Sequence, residues 1–219
     1  MIAFPFSLFL ILEQKTFPFK KPQNPKHMKT LKWFATLMMA AVLSAGALNA
    51  RDVSDYLKEL EKAPEPEAGK EYYLRYCIWY ENDAHNTTNY TRGDMAPANT
   101  KVTLLELSGK RMTIRISTTG ATVKIDNAEK FTRKNMKMIA RNMLSPTEVS
   151  IGKKFADSIR NGELRLGMTK EEAIMARGWP PAHKTSSLTR DTWTYWSSRF
   201  VTQAVVFKDG KLDAGRGIN

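Results

Sequence analysis

Cysteine is nearly missing: Cys77 stands alone in 219 residues, so the chain cannot form an internal disulfide. Histidine is almost as scarce. His27, His85 and His183, with one thiol, fall short of a persuasive ligand set, and neither a metal nor a cofactor is expected. No G-x-S-x-G, H-E-x-x-H, P-loop or dinucleotide fingerprint occurs, so the common hydrolase, zincin and nucleotide-binding classes find no support. The apolar run Trp33 to Leu43 is too short to span a bilayer comfortably, which takes roughly 20 residues. No Arg-rich segment with interleaved aromatics occurs, so nucleic acid is not an expected partner.

What is present starts with an export pattern. From Met28 a basic start (Lys29, Lys32) leads into the uncharged run Trp33 to Leu43 and then the small residues Ser44 to Ala50. Basic start, short apolar run and small-x-small site define a secretory signal peptide over 28–50, cleaved near Ala47 or Ala50. Residues 1–27 fit poorly ahead of it, because Pro5, Pro18, Pro22 and Pro25 interrupt them; translation starting at Met28 explains them as a start-site overcall, and an extended basic n-region is the alternative. The mature chain is then expected in the periplasm or medium, with no transmembrane segment after cleavage. Without a cysteine after the leader, lipid anchoring through that residue is excluded.

Charge must be recounted after this removal. The whole chain carries +12, but residues 1–50 hold six basic residues and one acidic, leaving 28 against 21, or +7. That moderate excess favours an anionic surface such as lipid headgroups or cell-wall polymer.

Residues 51–70 form a helical arm and a Pro/Glu linker. Val53, Tyr56, Leu57 and Leu60 have helical spacing, and Ala63-Pro64-Glu65-Pro66-Glu67 ends the helix, which predicts a loose N-terminal arm. Residues 71–150 make a small β-rich domain with a C-terminal helix. Tyr72 to Tyr80 is strand-like, Glu81 to Asn99 is a polar loop, and Lys101 to Leu107, Lys110 to Ser117 and Ala121 to Ile125 are strands. Short strands with small turns suggest an SH3-like barrel or meander. A helix follows, with Thr132 as cap, Phe131 as staple, and Met136, Ile139, Ala140, Met143 and Leu144 on its apolar face.

The stretch 153–219 carries sharper local signals. Phe155 and Ile159 stand one turn apart on a short helix ended by Asn161-Gly162. Thr169-Lys170-Glu171-Glu172 is a capping box, and Gly178 before Pro180 and Pro181 stops the second helix. Strands follow at Thr192 to Trp196, Phe200 to Phe207 and Lys211 to Arg216, the last two joined by Asp209-Gly210, a pair suited to a two-residue hairpin. The fold class is α+β.

Two short helices and then three antiparallel strands resemble the SmpA/OmlA (BamE-like) family. The matching residues are Leu166-Gly167-Met168-Thr169-Lys170-Glu171-Glu172, Gly178 with Pro180 and Pro181, Trp193-x-Tyr195, and Val206-Phe207-Lys208-Asp209-Gly210-Lys211. They span 153–216, under a third of the chain. The resemblance implies a non-enzymatic envelope module that stabilises an outer-membrane assembly through protein contacts. The chain departs from that pattern in lacking the lipobox cysteine and in carrying about ninety extra residues, 71–160, ahead of the motif.

Candidate functional residues divide by chemistry. Cys77 with His85 or His183 would be a nucleophile pair for an exported thiol hydrolase, but Cys77 sits in an aromatic strand, where a buried inert thiol is the commoner outcome. Arg92-Gly93-Asp94 spells an adhesion tripeptide inside a run of turn formers. Asn86-Thr87-Thr88 and Asn89-Tyr90-Thr91 match glycosylation acceptors, which carry no meaning in a bacterial envelope. The expected interaction surface is aromatic: Trp196, Arg199 and Phe200, with His85 and Tyr90 of the polar loop as the next choice. Expected partners are envelope proteins, outer-membrane assembly components among them; the alternative is an SH3-like protein that binds peptidoglycan or another wall glycan.

Overall fold

The computed structural model describes residues 53–218. The expected start-site overcall at 1–27 and the expected signal peptide at 28–50, with its cleavage sites, lie outside the described residues. So does Asn219.

Helix α1 (Val53–Lys62) leads into β1 (Glu71–Leu74), β2 (Ile78–Tyr80), β3 (Ala84–Asn86) and β4 (Asp94–Ala96). The meander β5 (Lys101–Leu107), β6 (Met112–Ile116) and β7 (Thr122–Asp126) follows, then α2 (Glu129–Thr132), α3 (Met136–Met143) and the short β8 (Leu144–Ser145). A 3-10 turn at Lys153–Phe155 opens α4 (Ala156–Arg160), and α5 (Lys170–Arg177) precedes β9 (Thr192–Trp196), β10 (Thr202–Lys208) and β11 (Lys211–Gly215).

Six strands form one open sheet in the order β3-β7-β6-β5-β1-β8. The expected barrel is not there: β3 adds in parallel to β7 at one edge and β8 pairs with β1 at the other, so the edges never meet. The meander itself follows the alternation of the sequence. Met112, Ile114, Ile116, Val123 and Ile125 are buried, while Arg111 and Arg115 are exposed. Helix α3 lays Met136, Ile139, Ala140 and Met143 against that face.

Two other elements differ from expectation. The strand expected over 72–80 breaks at Arg75–Cys77 into β1 of the large sheet and β2, which pairs with β4. Backbone donors at the break find distant acceptors: Arg75 N–H donates to the Met143 carbonyl (2.8 Å) and Cys77 N–H to that of Met175 (2.9 Å). The cap of α3 is Asn135, whose side chain accepts from the Met138 N–H (2.9 Å). Thr132 instead donates to Asn127 Oδ1 (3.1 Å), and Phe131 is free to pack elsewhere.

The stretch from 153 to 218 builds a three-stranded antiparallel sheet, β11-β10-β9, backed by α4 and α5. The Thr169–Glu172 capping box is formed in both directions, and Asp209 and Gly210 both take positive φ at the hairpin turn. Gly178 ends α5 at φ 74°, and a Cβ there would stand 2.6 Å from Asn89 Nδ2 and 3.1 Å from Tyr76.

The second core is shared across the chain. Val53, Tyr56, Leu60, Cys77 and Ala98 join Phe155, Ile159, Met168, Ile174, Trp193 and Phe207 in one cluster. Helix α1 is therefore no loose arm: Val53, Tyr56 and Leu60 are buried, and Tyr56 stacks on Trp179 at 6.0 Å between ring centres. The linker after it is pinned as well, with Gly69 N–H donating to the Leu104 carbonyl (2.7 Å). Asn99 holds Val149 through a reciprocal amide pair at 2.8 and 2.9 Å, which ties the 145–154 connection to the sheet. Chain contacts gather the described residues into one compact unit.

Candidate functional site

The β9–β10 hairpin carries the aromatic run, and alternation along β9 divides it between two faces. Trp193 and Tyr195 face the helices and are buried; Trp193 packs on Phe207 at 4.7 Å between ring centres. Trp196 points the other way and is only half-buried, because the first part of the chain covers it. Tyr90 stacks on it at 5.7 Å and 17°, Phe131 tilts against it at 5.3 Å, and the His183 edge meets it at 5.4 Å. Its indole Nε1 is enclosed without a hydrogen-bond partner among the described residues. Trp196 and Tyr90 thus form one wall of an aromatic cluster and are not free anchors.

Beyond Trp196 the chain turns tightly, with Ser197 N–H donating to the Val201 carbonyl (2.9 Å). Thr91 Oγ1 donates to the Ser197 carbonyl (3.3 Å), so the neighbouring loop braces the turn. What the turn presents is apolar. Phe200 is 87% exposed and Val201 55%, and the Arg199 guanidinium lies 5.5 Å from the Phe200 ring centre.

His85 is not a surface residue. It lies in β3, wholly buried, with Nδ1 2.9 Å from the Trp79 carbonyl and Nε2 enclosed without a partner. Burial in this apolar setting lowers its pKa to about 4, so the ring is neutral near pH 7. The polar stretch 81–99 is thus less a loop than two short strands around a buried histidine.

Cys77 is fully buried. Its thiol donates to the Ile159 carbonyl (2.9 Å) and accepts from the Ala98 N–H (3.3 Å); neither His85 nor His183 bonds to it. Burial pushes the thiol pKa up to about 11, far from the depressed value a thiolate nucleophile needs. Among the described residues no group of three His, Cys, Asp or Glu side chains is placed to hold a metal ion, and no helix is long and apolar enough to cross a membrane. Of the adhesion-like tripeptide, Asp94 starts β4 and Arg92 pairs with Glu81 at 3.0 Å.

Asn89 acts as a knot. Its Oδ1 accepts from the Trp79 N–H (3.1 Å), and its Nδ2 donates to the carbonyls of Cys77 (2.9 Å) and Arg177 (3.0 Å). Two charged residues pack on aromatic rings without any expectation of it from the sequence. Lys170 is buried over the Trp193 and Phe207 rings, with Nζ donating to the Thr189 carbonyl (3.0 Å). Arg177 packs over Trp79. A lysine at the start of a helix and an arginine in its last turn look like solvated charges, so no local signal marks either.

Compared with family models, with curated proteins and with solved structures, the chain finds no match.

Proposed function

We propose that this chain is an exported, non-enzymatic protein of the cell envelope that acts as a protein-interaction or assembly module, with the β9–β10 tip as its contact. The observation that carries this reading is Phe200, 87% exposed beside Val201 and under Arg199 at the end of a braced hairpin. Aromatic and arginine side chains supply most binding anchors at protein interfaces. A tip held by the Trp196 cluster also loses little conformational freedom on binding. The secretory pattern at 28–50 and the resemblance of 153–216 to the SmpA/OmlA family support the same reading. The proposed partners are envelope proteins, outer-membrane assembly components among them.

Affinity capture from envelope extracts, with wild-type protein and Phe200→Ser side by side, tests this. The partner is expected to be retained by wild type and reduced about tenfold or more by the variant, the scale of an interface anchor. Equal capture by both proteins would contradict the reading. Retention on purified peptidoglycan, unchanged by the substitution, would favour the wall-binding alternative.

A further inference from the structure

The hairpin tip rises beside a cluster of positive charge. At its base Trp196 holds Phe131 at 5.3 Å and His183 at 5.4 Å, and each of these rings has cations next to it. The Lys130 ammonium lies 4.7 Å from the Phe131 ring centre. Burial and then the charge of Lys184, with Arg133 adding to it, lower the His183 pKa, which puts both cations near the imidazole. Arg199 is the fourth, beside Phe200. All four side chains are exposed.

Little offsets them. The chain from Lys130 to Thr147 carries five cations and no carboxylate, and from Thr192 to Phe207 it carries Arg199 and no carboxylate. Glu129, in the same turn as Lys130, and Asp126, at the end of β7, are the nearest acids in sequence. Among the described residues no carboxylate lies within ion-pair distance of Lys130, Arg133, Lys184 or Arg199. The excess is one-sided. On the other flank, where Thr91 braces the turn, Arg92 is already matched by Glu81 at 3.0 Å, and Asp94 follows it.

We propose that the tip's partner is a protein surface with an apolar socket and carboxylates along one side of it. Phe200 and Val201 enter the socket, and Asp or Glu side chains meet Lys130, Arg133, Lys184 and Arg199. This deepens the reading of the tip as a contact and rests on it. Opposite charge across an interface steers association and fixes orientation, and a one-sided excess admits one way round. The planar guanidinium of Arg199, held beside the Phe200 ring, suits a carboxylate taken through two hydrogen bonds. An anionic bilayer fits less well, because its plane of headgroups would also meet the flank of Glu81 and Asp94.

Carbodiimide coupling tests the proposal, because it joins a lysine amine to a carboxylate with no spacer between them. The full chain is used to capture its partner from envelope extracts, and the complexes are then coupled and digested for mass spectrometry. Amide links are expected from Lys130 or Lys184 to Asp or Glu of the protein whose capture Phe200→Ser abolishes. The pair Lys130→Glu and Lys184→Glu should lower that capture about tenfold or more, as should raising NaCl from about 50 to about 500 mM. The pair Lys110→Glu and Lys153→Glu, the same charge change on exposed lysines outside the cluster, should leave it within about twofold. Capture that needs Phe200 but ignores both the Lys130/Lys184 pair and salt, or that yields no link from either lysine, would overturn the acidic partner and leave the tip contact standing. Capture indifferent to Phe200, or no capture, would remove the contact and the proposal with it. Binding to phosphatidylcholine vesicles containing phosphatidylglycerol that Phe200→Ser abolishes would assign the tip to lipid and overturn both.

Discussion

The six-stranded sheet fills its core with residues from Tyr72 to Leu144, whereas the second core takes Val53, Cys77, Ala98, Phe155 and Trp193 from the length of the described chain. The first is built mainly by neighbours in sequence: a meander and the helix that follows it. The second exists only when α1, the β2 region and the C-terminal stretch have come together. Polar ties follow the same division. Asn89 and Cys77 each donate one hydrogen bond to a distant carbonyl, those of Arg177 and Ile159, across 88 and 82 residues. A module that resembles an independent domain in sequence is therefore completed from outside itself.

The comparison is broken most severely by core truncation. Trp193→Ala is expected to cost ~3–5 kcal/mol, and Ile114→Ala in the sheet core ~2–5 kcal/mol. If the shared core couples the two regions, hydrogen exchange at the Ile114 and Phe207 amides should accelerate in both variants. Loss of protection confined to the mutated side would mean two independent units.

Acid strikes the sheet side through His85. Burial lowers its pKa from 6.5 to about 4, so as pH falls the unfolded chain takes up this proton before the folded one. Its stabilising contribution is complete above the unfolded pKa and is lost as pH drops through the folded one, by about 3 kcal/mol in all. Urea unfolding at pH 7 and pH 4.5 should show this slope in wild type and a flatter one in His85→Gln; equal slopes would sink the assignment.

The seam between the regions gives a smaller effect. Gly178→Ala forces a side chain into φ 74° and against Asn89, for ~1–3 kcal/mol by thermal melting. An unchanged melting temperature would show that the Asn89 knot yields easily. Smallest is the tip: Phe200→Ser should change stability by no more than about 0.5 kcal/mol. A larger loss would mean that Phe200 is packed and not offered to a partner.

What the sequence disclosed follows the same line. The capping box at Thr169, the Asp209-Gly210 turn, the Trp193/Tyr195 face and the alternation from Met112 to Ile125 rest on neighbours within a few residues, and each formed as expected. The break at Arg75–Cys77 carries no turn residue and is imposed by acceptors at Met143 and Met175. His85 lies in a polar stretch, and its burial comes from β3 pairing with β7 some forty residues on. At the candidate contact, Arg199 and Phe200 were named as interaction residues, but Phe200 was expected to open the next strand; that strand begins at Thr202, which leaves both residues in the turn. The covering of Trp196 by Tyr90, Phe131 and His183 required the two regions to meet.

Site-specific photocrosslinking in intact cells tests the hairpin tip as a contact most directly. A benzophenone side chain replacing Phe200 should yield a discrete protein adduct that is missing when the same probe replaces Glu106 on β5. No adduct at 200, or the same adduct from both positions, would contradict it.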